Sequence, residues 1–378
     1  MNRSAVRLIV LLGVVSLLAD VTYEGARSVS GPFLATLGAG AMVVGVVAGA
    51  GELIGHGLRL ASGYLTDRTR RYWLIAFAGY VVNLAAVPLL ALAGRWEVAA
   101  LLLVAERTGK AIRTPARDVM LAQASSRAGH GWGFGLHEAM DQIGAVAGPL
   151  LVAWAFATRG GYRAGFAMLA VPAVLALMAL AIARIQYPNP QALEEPPTQP
   201  AGGRLPRPFW GAVAGASLVA AGFADFPLLA FHLKRTAAVP EGNIPILYAF
   251  AMGVDAAAAL IFGRLFDRFG TLALAAGAVL AAASTPLVLF GTHTTGLACW
   301  GAAMGAVDSI FKAAVARTVP SQRRGSAYGI FHTAYGVAWF LGSAIMGGLY
   351  NHSPLAMAVF STTFALAAVP LLLKYPGP

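Results

Sequence analysis

The chain has 378 residues, 58% of them hydrophobic and only 11% charged, with 27 Lys and Arg against 16 Asp and Glu. Its mean hydropathy is +0.69. Soluble domains carry roughly 25% charged residues, so this composition excludes one. Apolar blocks near the ~20 residues that cross a bilayer recur from end to end. The short alternating segments of a membrane β-barrel are missing. A single cysteine, Cys299, excludes an intrachain disulfide, and no Cys/His cluster has metal-site spacing. No metal or cofactor is therefore expected.

The blocks divide into twelve predicted spans, over 5–35, 39–65, 72–94, 96–120, 131–157, 162–185, 209–233, 243–265, 270–291, 294–318, 325–350 and 354–374. The opening MNRSAVRLIVLLGVVSLLAD has the basic start and apolar run of a signal peptide. The similar blocks that follow make it the first span instead. Residues 186–208, QYPNPQALEEPPTQPAGGRLPRP, form a proline-rich linker between a first half, 1–185, and a second half, 209–378. Most basic residues fall on one set of span ends, among them Arg3, Arg7, Arg68, Arg70, Arg71, Arg117, Arg264, Arg268, Arg323 and Arg324. The opposite loops hold few, such as Arg95, Arg159 and Arg163. The positive-inside rule puts both termini in the cytoplasm and accounts for the +11 net charge without a nucleic-acid partner.

The halves repeat. GYLTDR at 63–68 returns as GRLFDR at 263–268, so that Gly63, Asp67 and Arg68 match Gly263, Asp267 and Arg268. GFGLHEA at 133–139 faces AYGIFHT at 327–333. Duplicated six-helix halves predict a transporter with its site between them, near the midplane.

Here the sequence resembles the major facilitator superfamily over essentially its whole length. That family's signature, Gly-x-Leu-x-Asp-Arg-x-Gly-Arg-Arg, compares with GYLTDRTRRY, where Gly63, Leu65, Asp67, Arg68 and Arg71 match and Arg70 replaces a glycine. The resemblance implies an all-α membrane protein of two pseudo-symmetric six-helix halves in the inner membrane. It also implies that Asp67 latches the cytoplasmic side through nearby arginines, with Arg117 and Asp118 in reach. A solvated, orientation-setting loop is the alternative. IGAVAGPLLVA, with Gly144, Gly148 and Pro149, is similar to a motif of proton-coupled exporters, or is a plain small-residue helix contact. The arginine that drug exporters place four residues before a Gly-x-Gly is missing, because Ala105 stands four residues before Gly109. GKAIRTPARD is similar to a pattern of one bacterial branch of the superfamily.

Ionisable groups within spans cost ~2.5–3.5 kcal/mol each on insertion scales, so each marks a candidate site. They form helical stripes. Asp20, Glu24 and Arg27 share one face of span 1 with Tyr23 alongside, and Glu52, His56 and Arg59 share one of span 2. Span 4 carries Glu106, Lys110, Arg113 and Arg117; span 5 carries His137 and Asp141 with Glu138 near. The second half is poorer: Asp225, Asp255, Asp308, Lys312, His332, Tyr335 and Trp339. Proton coupling is assigned to Asp20, Glu24, His137 and Asp141. The remaining charges line a substrate cavity or neutralise one another as Glu52–Arg59, Glu106–Lys110 and Asp308–Lys312. Lys110, Arg113 and Lys312 are also suited to clamping an anion.

The sequence thus predicts a monomeric secondary transporter in the bilayer. It moves a small organic solute by alternating access, driven by the proton gradient, with export favoured over import of an organic anion. A membrane sensor on a transporter scaffold is the rival class. No nucleotide loop or nucleophile motif supports an enzyme.

Overall fold

The computed structural model describes residues 3–125, 130–189, 205, 207–307 and 324–374. All regular structure in it is helical. The first segment holds α1 (Arg3–Thr36), α2 (Ala41–Thr69), α3 (Tyr72–Leu89), α4 (Trp96–Ser125), α5 (His130–Arg159), α6 (Gly161–Met168) and α7 (Ala170–Gln186). The second holds α8 (Arg207–Gly222), α9 (Phe226–Arg235), α10 (Ile244–Phe269), α11 (Thr271–Phe290), α12 (His293–Ala306), α13 (Arg324–His352) and α14 (Pro354–Leu373). Ten helical stretches are long and apolar enough to cross a membrane. Helix α4, at 30 residues, is long enough too, but it carries the charged stripe. Leu92, Leu101, Val171, Ile185 and Leu260 point outward, as lipid contact requires of a chain that satisfies its backbone internally.

Two predicted spans are broken. Span 6 divides into α6 and α7 at Leu169. Span 7 divides into α8 and α9, with residues 223–225 out of helix near its middle. The carbonyls freed there are taken up within the second segment. Trp300 Nε1 donates to Ala224 O at 2.8 Å, and Ser361 Oγ donates to Gly222 O at 2.5 Å.

Helices α1–α7 pack chiefly on one another, as do α8–α14. Between the two sets, α2 packs on α13, α5 on α10 and α1 on α9. With α8 and α9 taken as one span, the second span of each set therefore meets the fifth of the other. One large apolar core runs through both sets, from Phe33 and Phe166 to Phe226, Tyr248 and Trp300. A second core, with Leu8, Leu12, Trp73, Tyr80, Met120 and Leu180, belongs to the first set alone. The shared core thus lies toward the end away from the N-terminus; at the N-terminal end the first set has a core of its own, and α2 still meets α13 where Leu60 lies against Gly329.

Both copies of the repeated motif end their helices on a residue of positive φ, with different ψ, 18 at Arg70 and −115 at Gly270. Arg70 caps α2 with φ 53 and ψ 18, its N–H bonded to Thr66 O at 2.9 Å. Gly270 caps α10 with φ 53, its N–H bonded to Phe266 O at 2.9 Å. Arg70 thus takes a left-handed backbone that favours glycine, at about 1–2 kcal/mol of steric cost.

Candidate functional site

A cavity of about 630 Å³ lies between the two sets of helices. Its depth is marked by α1, whose charged face turns inward because Leu8, Ile9, Leu12 and Val15 occupy the opposite requirement, the core. Toward the N-terminal end it is walled by Leu121, Phe134 and Glu138. At the other end the backbones close: a Cβ on Gly31 would collide with Pro227 O, so only glycine lets α1 and α9 meet there. Beyond it, Tyr162 Oη donates to Glu241 Oε2 at 2.6 Å and accepts from Lys234 Nζ at 3.1 Å, while Lys234 and Glu241 pair at 2.7 Å.

The predicted charges converge in three groups. Near the mouth, Arg117 bonds Asp118 at 2.8 Å, lies 3.8 Å from Asp141 and donates to Ser16 Oγ at 3.0 Å. His137 Nδ1 is 3.4 Å from Asp141. Glu138 is exposed at the rim and accepts a long bond from Gln142. At mid-depth, Lys110 Nζ sits 3.8 Å over the ring of Tyr23 with no carboxylate within ion-pair distance among the described residues. Asp20 is buried beside it, with Oδ1 unbonded. Arg113 is fully buried and stacks 4.4 Å over Tyr80, behind the cavity wall rather than on it. At the blind end, Arg27, Arg107, Glu24, Glu52, Glu106 and Asp225 form one network.

The second set supplies aromatic surface. His56 stacks on His332 at 5.3 Å and meets Tyr335 edge-on at 5.6 Å. Tyr335 meets Trp339 at 5.4 Å. Asp255 and Arg59 also line the cavity. Nearly all the charge comes from the first set, as the stripes predicted.

Several expectations need correction. Glu52 does not pair with Arg59; it takes Arg27 at 3.1 Å, Arg107 at 3.6 Å and His56 at 3.8 Å. Glu106 does not pair with Lys110; it takes Arg107 at 3.4 Å and the Asn83 amide at 2.8 Å. Other helices supply Arg27 and Arg107 to Glu52 and Asn83 to Glu106, while His56 and, for Glu106, Arg107 come from the same helix. Arg117 spends its charge inside the cavity on Asp118 and Asp141. Gly63 permits no close approach, since its nearest neighbour would be Pro115 Cβ at 3.8 Å, and Gly263 faces open space. The tight crossings are elsewhere: Gly79 on Gly109, and Gly144 and Gly148 on α1. Arg68, Arg71 and Arg268 are exposed at helix ends. The side chains of Asp67 and Asp267, and all of Asp308 and Lys312, lie outside the described residues.

Sequence reasoning missed Arg107, Tyr248 and Asn83. Tyr248 Oη donates to Glu24 Oε2 at 2.5 Å across the two sets. Arg107 sits one residue off the α4 stripe; the only signal for it was a glycine, Gly51, that leaves room for its side chain.

The sequence pattern of the Major Facilitator Superfamily matches residues 12–343, and again 232–377. A protein of Mycobacterium tuberculosis is 42% identical over 382 residues, covering 98% of this chain and 93% of its own. Among solved structures, a peptide transporter in complex with sulfate superposes with a TM-score of 0.77 at 14% identity, covering 97% and 93% of the two chains. A nucleoside transporter does so with a TM-score of 0.73 at 14% identity, covering 99% and 98%.

Proposed function

Because the chain belongs to the Major Facilitator Superfamily, we propose that it is a secondary active transporter with twelve spans in the inner membrane and both termini in the cytoplasm. It moves a small organic solute by alternating access, coupled to protons through Asp20, Glu24, His137 and Asp141. The observation that carries this reading is the cavity itself. It is polar, large enough for a small solute, closed at one end and walled by both helix sets at the other. With the basic span ends inside, that is a cytoplasm-facing stage of the cycle.

Export of an organic compound, neutral or cationic, is the favoured direction. Among the described residues carboxylates outnumber cations in the lining, where Asp20, Glu24, Glu52, Asp118, Glu138, Asp141 and Asp255 face Arg27, Arg59, Arg107, Lys110 and Arg117. Import of an organic anion has one observation in its favour: Lys110 lines the cavity without a carboxylate partner among the described residues.

A thermal-shift screen of purified protein against organic cations, anions and neutral drugs identifies a binder, because a ligand of the native state raises its apparent stability. Inside-out vesicles given that compound and an imposed proton gradient then test transport. Accumulation that follows the gradient supports the reading. Flux that ignores the gradient sinks proton coupling, and binding without flux points to a sensor.

A further inference from the structure

The network at the blind end joins the two helix sets through one side chain. Arg27 on α1 lies 3.1 Å from Glu52, 4.0 Å from Glu24 and 3.6 Å from Asp225. Asp225 belongs to the second set and precedes α9; the other two acids belong to the first. A second tie runs the same way, from Tyr248 Oη on α10 to Glu24. Arg27, Glu52 and Arg107 face the main cavity on one side. On the other they face a small pocket walled by Leu34, Val44 and Pro227. They are therefore a septum: the polar cavity ends on them and an apolar plug begins.

Among the described residues the septum is short of positive charge. Glu24, Glu52, Glu106 and Asp225 face the two guanidinium groups of Arg27 and Arg107. Lys110 on α4 adds one more cation within electrostatic reach, and Asp20 on α1 adds one more acid. The His56 imidazole is 3.8 Å from Glu52; Asn83, Tyr248 and Ser343 bring only neutral donors. Unbalanced charge at such depth is costly, so a network of this composition gains by taking up a cation. Asp225 has the open valence. It is 1% exposed; Oδ2 accepts from Ser343 Oγ at 2.6 Å, while Oδ1 makes no hydrogen bond. A guanidinium already stands 3.6 Å from that oxygen and would repel a metal cation beside it, whereas a proton needs only a lone pair.

We propose that the septum is the binding site of the coupling proton, held by Asp225 and Glu24, and that its loading releases Arg27 and unseals the far end. This rests on the proton-coupled reading above and moves the decisive site to the contact between the halves. A proton on Asp225 cancels the charge facing Arg27, which keeps Glu52 within its own half. A proton on Glu24 turns a charge-assisted bond from Tyr248 into a weaker neutral one. Proton binding thus favours the state in which the halves part at this end, and only such a difference between states shifts a conformational equilibrium.

The test uses the full chain with Cys299→Ser and spin labels at Thr36→Cys and Ala238→Cys, exposed positions at the far end of opposite halves. Pulsed EPR distances in nanodiscs are compared between about pH 8 and about pH 5 at fixed sodium. Sodium is then varied at fixed pH. Acidification is expected to lengthen the distance. Asp225→Asn and Glu24→Gln, shaped like the protonated acids, are expected to show the long distance at both pH values. Tyr248→Phe keeps the charges and removes only a hydroxyl; it carries the test where the acid variants do not fold. It should move the midpoint of the change to higher pH. Distances in the parent protein that ignore pH, a response to sodium instead, or an unaltered pH response in the folded variants would overturn the proposal. Proton-driven solute flux is read separately in vesicles. A pH-dependent distance without gradient-driven flux therefore defeats the transport reading and leaves the septum site intact.

Discussion

Tyr162 is the only first-half member of the far-end clasp, since its partners Lys234 and Glu241 both lie beyond the linker. Tyr162→Phe therefore removes the clasp's hydrogen bonds between the halves and leaves the Lys234–Glu241 pair, 2.7 Å apart, in place. A hydrogen bond to a charged group is worth about 1.5–3 kcal/mol. Glu241 is 46% exposed, so water screens part of it and about 1–2 kcal/mol remains. That is a factor of roughly 5–30 in the ratio of far-open to far-closed protein. The assay places a cysteine at Ser30, which is buried in the small pocket beyond the septum, in a Cys299→Ser background. The rate of its reaction with a membrane-impermeant thiol reagent, added from the far face, reports the open population. Tyr162→Phe should raise that rate by the same roughly 5–30-fold. A rate within about twofold of the parent, with Tyr162→Phe correctly folded, would refute the clasp as a cross-half restraint.

Other outcomes follow from the packing and the charges. Gly109→Ala drives a methyl into Asn83 Cα and Gly79 O, each at 2.7 Å, and spreads α3 from α4. Overpacking of about 1–3 kcal/mol plus damage to the Asn83–Glu106 bonds should lower the thermal midpoint, while Gly57→Ala, which meets open space, should not. Arg70→Gly removes the strain of a left-handed cap and should stabilise the fold by about 1 kcal/mol in a reversible denaturation series. Asp141→Asn removes the acid shared by Arg117 and His137. It should abolish gradient-driven accumulation yet leave part of solute exchange, and wild-type accumulation by that variant would exclude Asp141 from coupling.

How much of this was legible in the sequence depended on range. Apolar length and the repeated GYLTDR and GRLFDR gave the helices and their duplication, because both are local properties of the chain. The stripes named many residues of the cavity, because helical periodicity sorts side chains by face, but Arg113 lies behind its wall. Their partners were not legible. The spacing rule pairs Glu52 with Arg59, but it cannot weigh Arg27 on another helix or Arg107, which reaches Glu52 across Gly51. Tyr248 gave no signal, since a tyrosine in an apolar helix reads as packing until a buried carboxylate stands opposite. The break in span 7 was hidden as well. SLVAAGFADFPLLAFHL is apolar apart from Ser217, Asp225 and His232, and only Gly222 and Pro227 hint at an interruption.

That break has a mechanical consequence. An unbroken helix transmits displacement along its length as a stiff rod. The elbow at 223–225 uncouples α9, whose ten residues make a lever about 15 Å long, from α8. The elbow itself is pinned by Trp300 and Ser361, so it acts as a fulcrum fixed in the second half. Asp225 lies at the fulcrum and moves little, whereas Pro227 and Lys234 lie along the arm. Opening the far end can therefore proceed by swinging a short arm past Gly31, with less lipid displaced than when six helices tilt as one body.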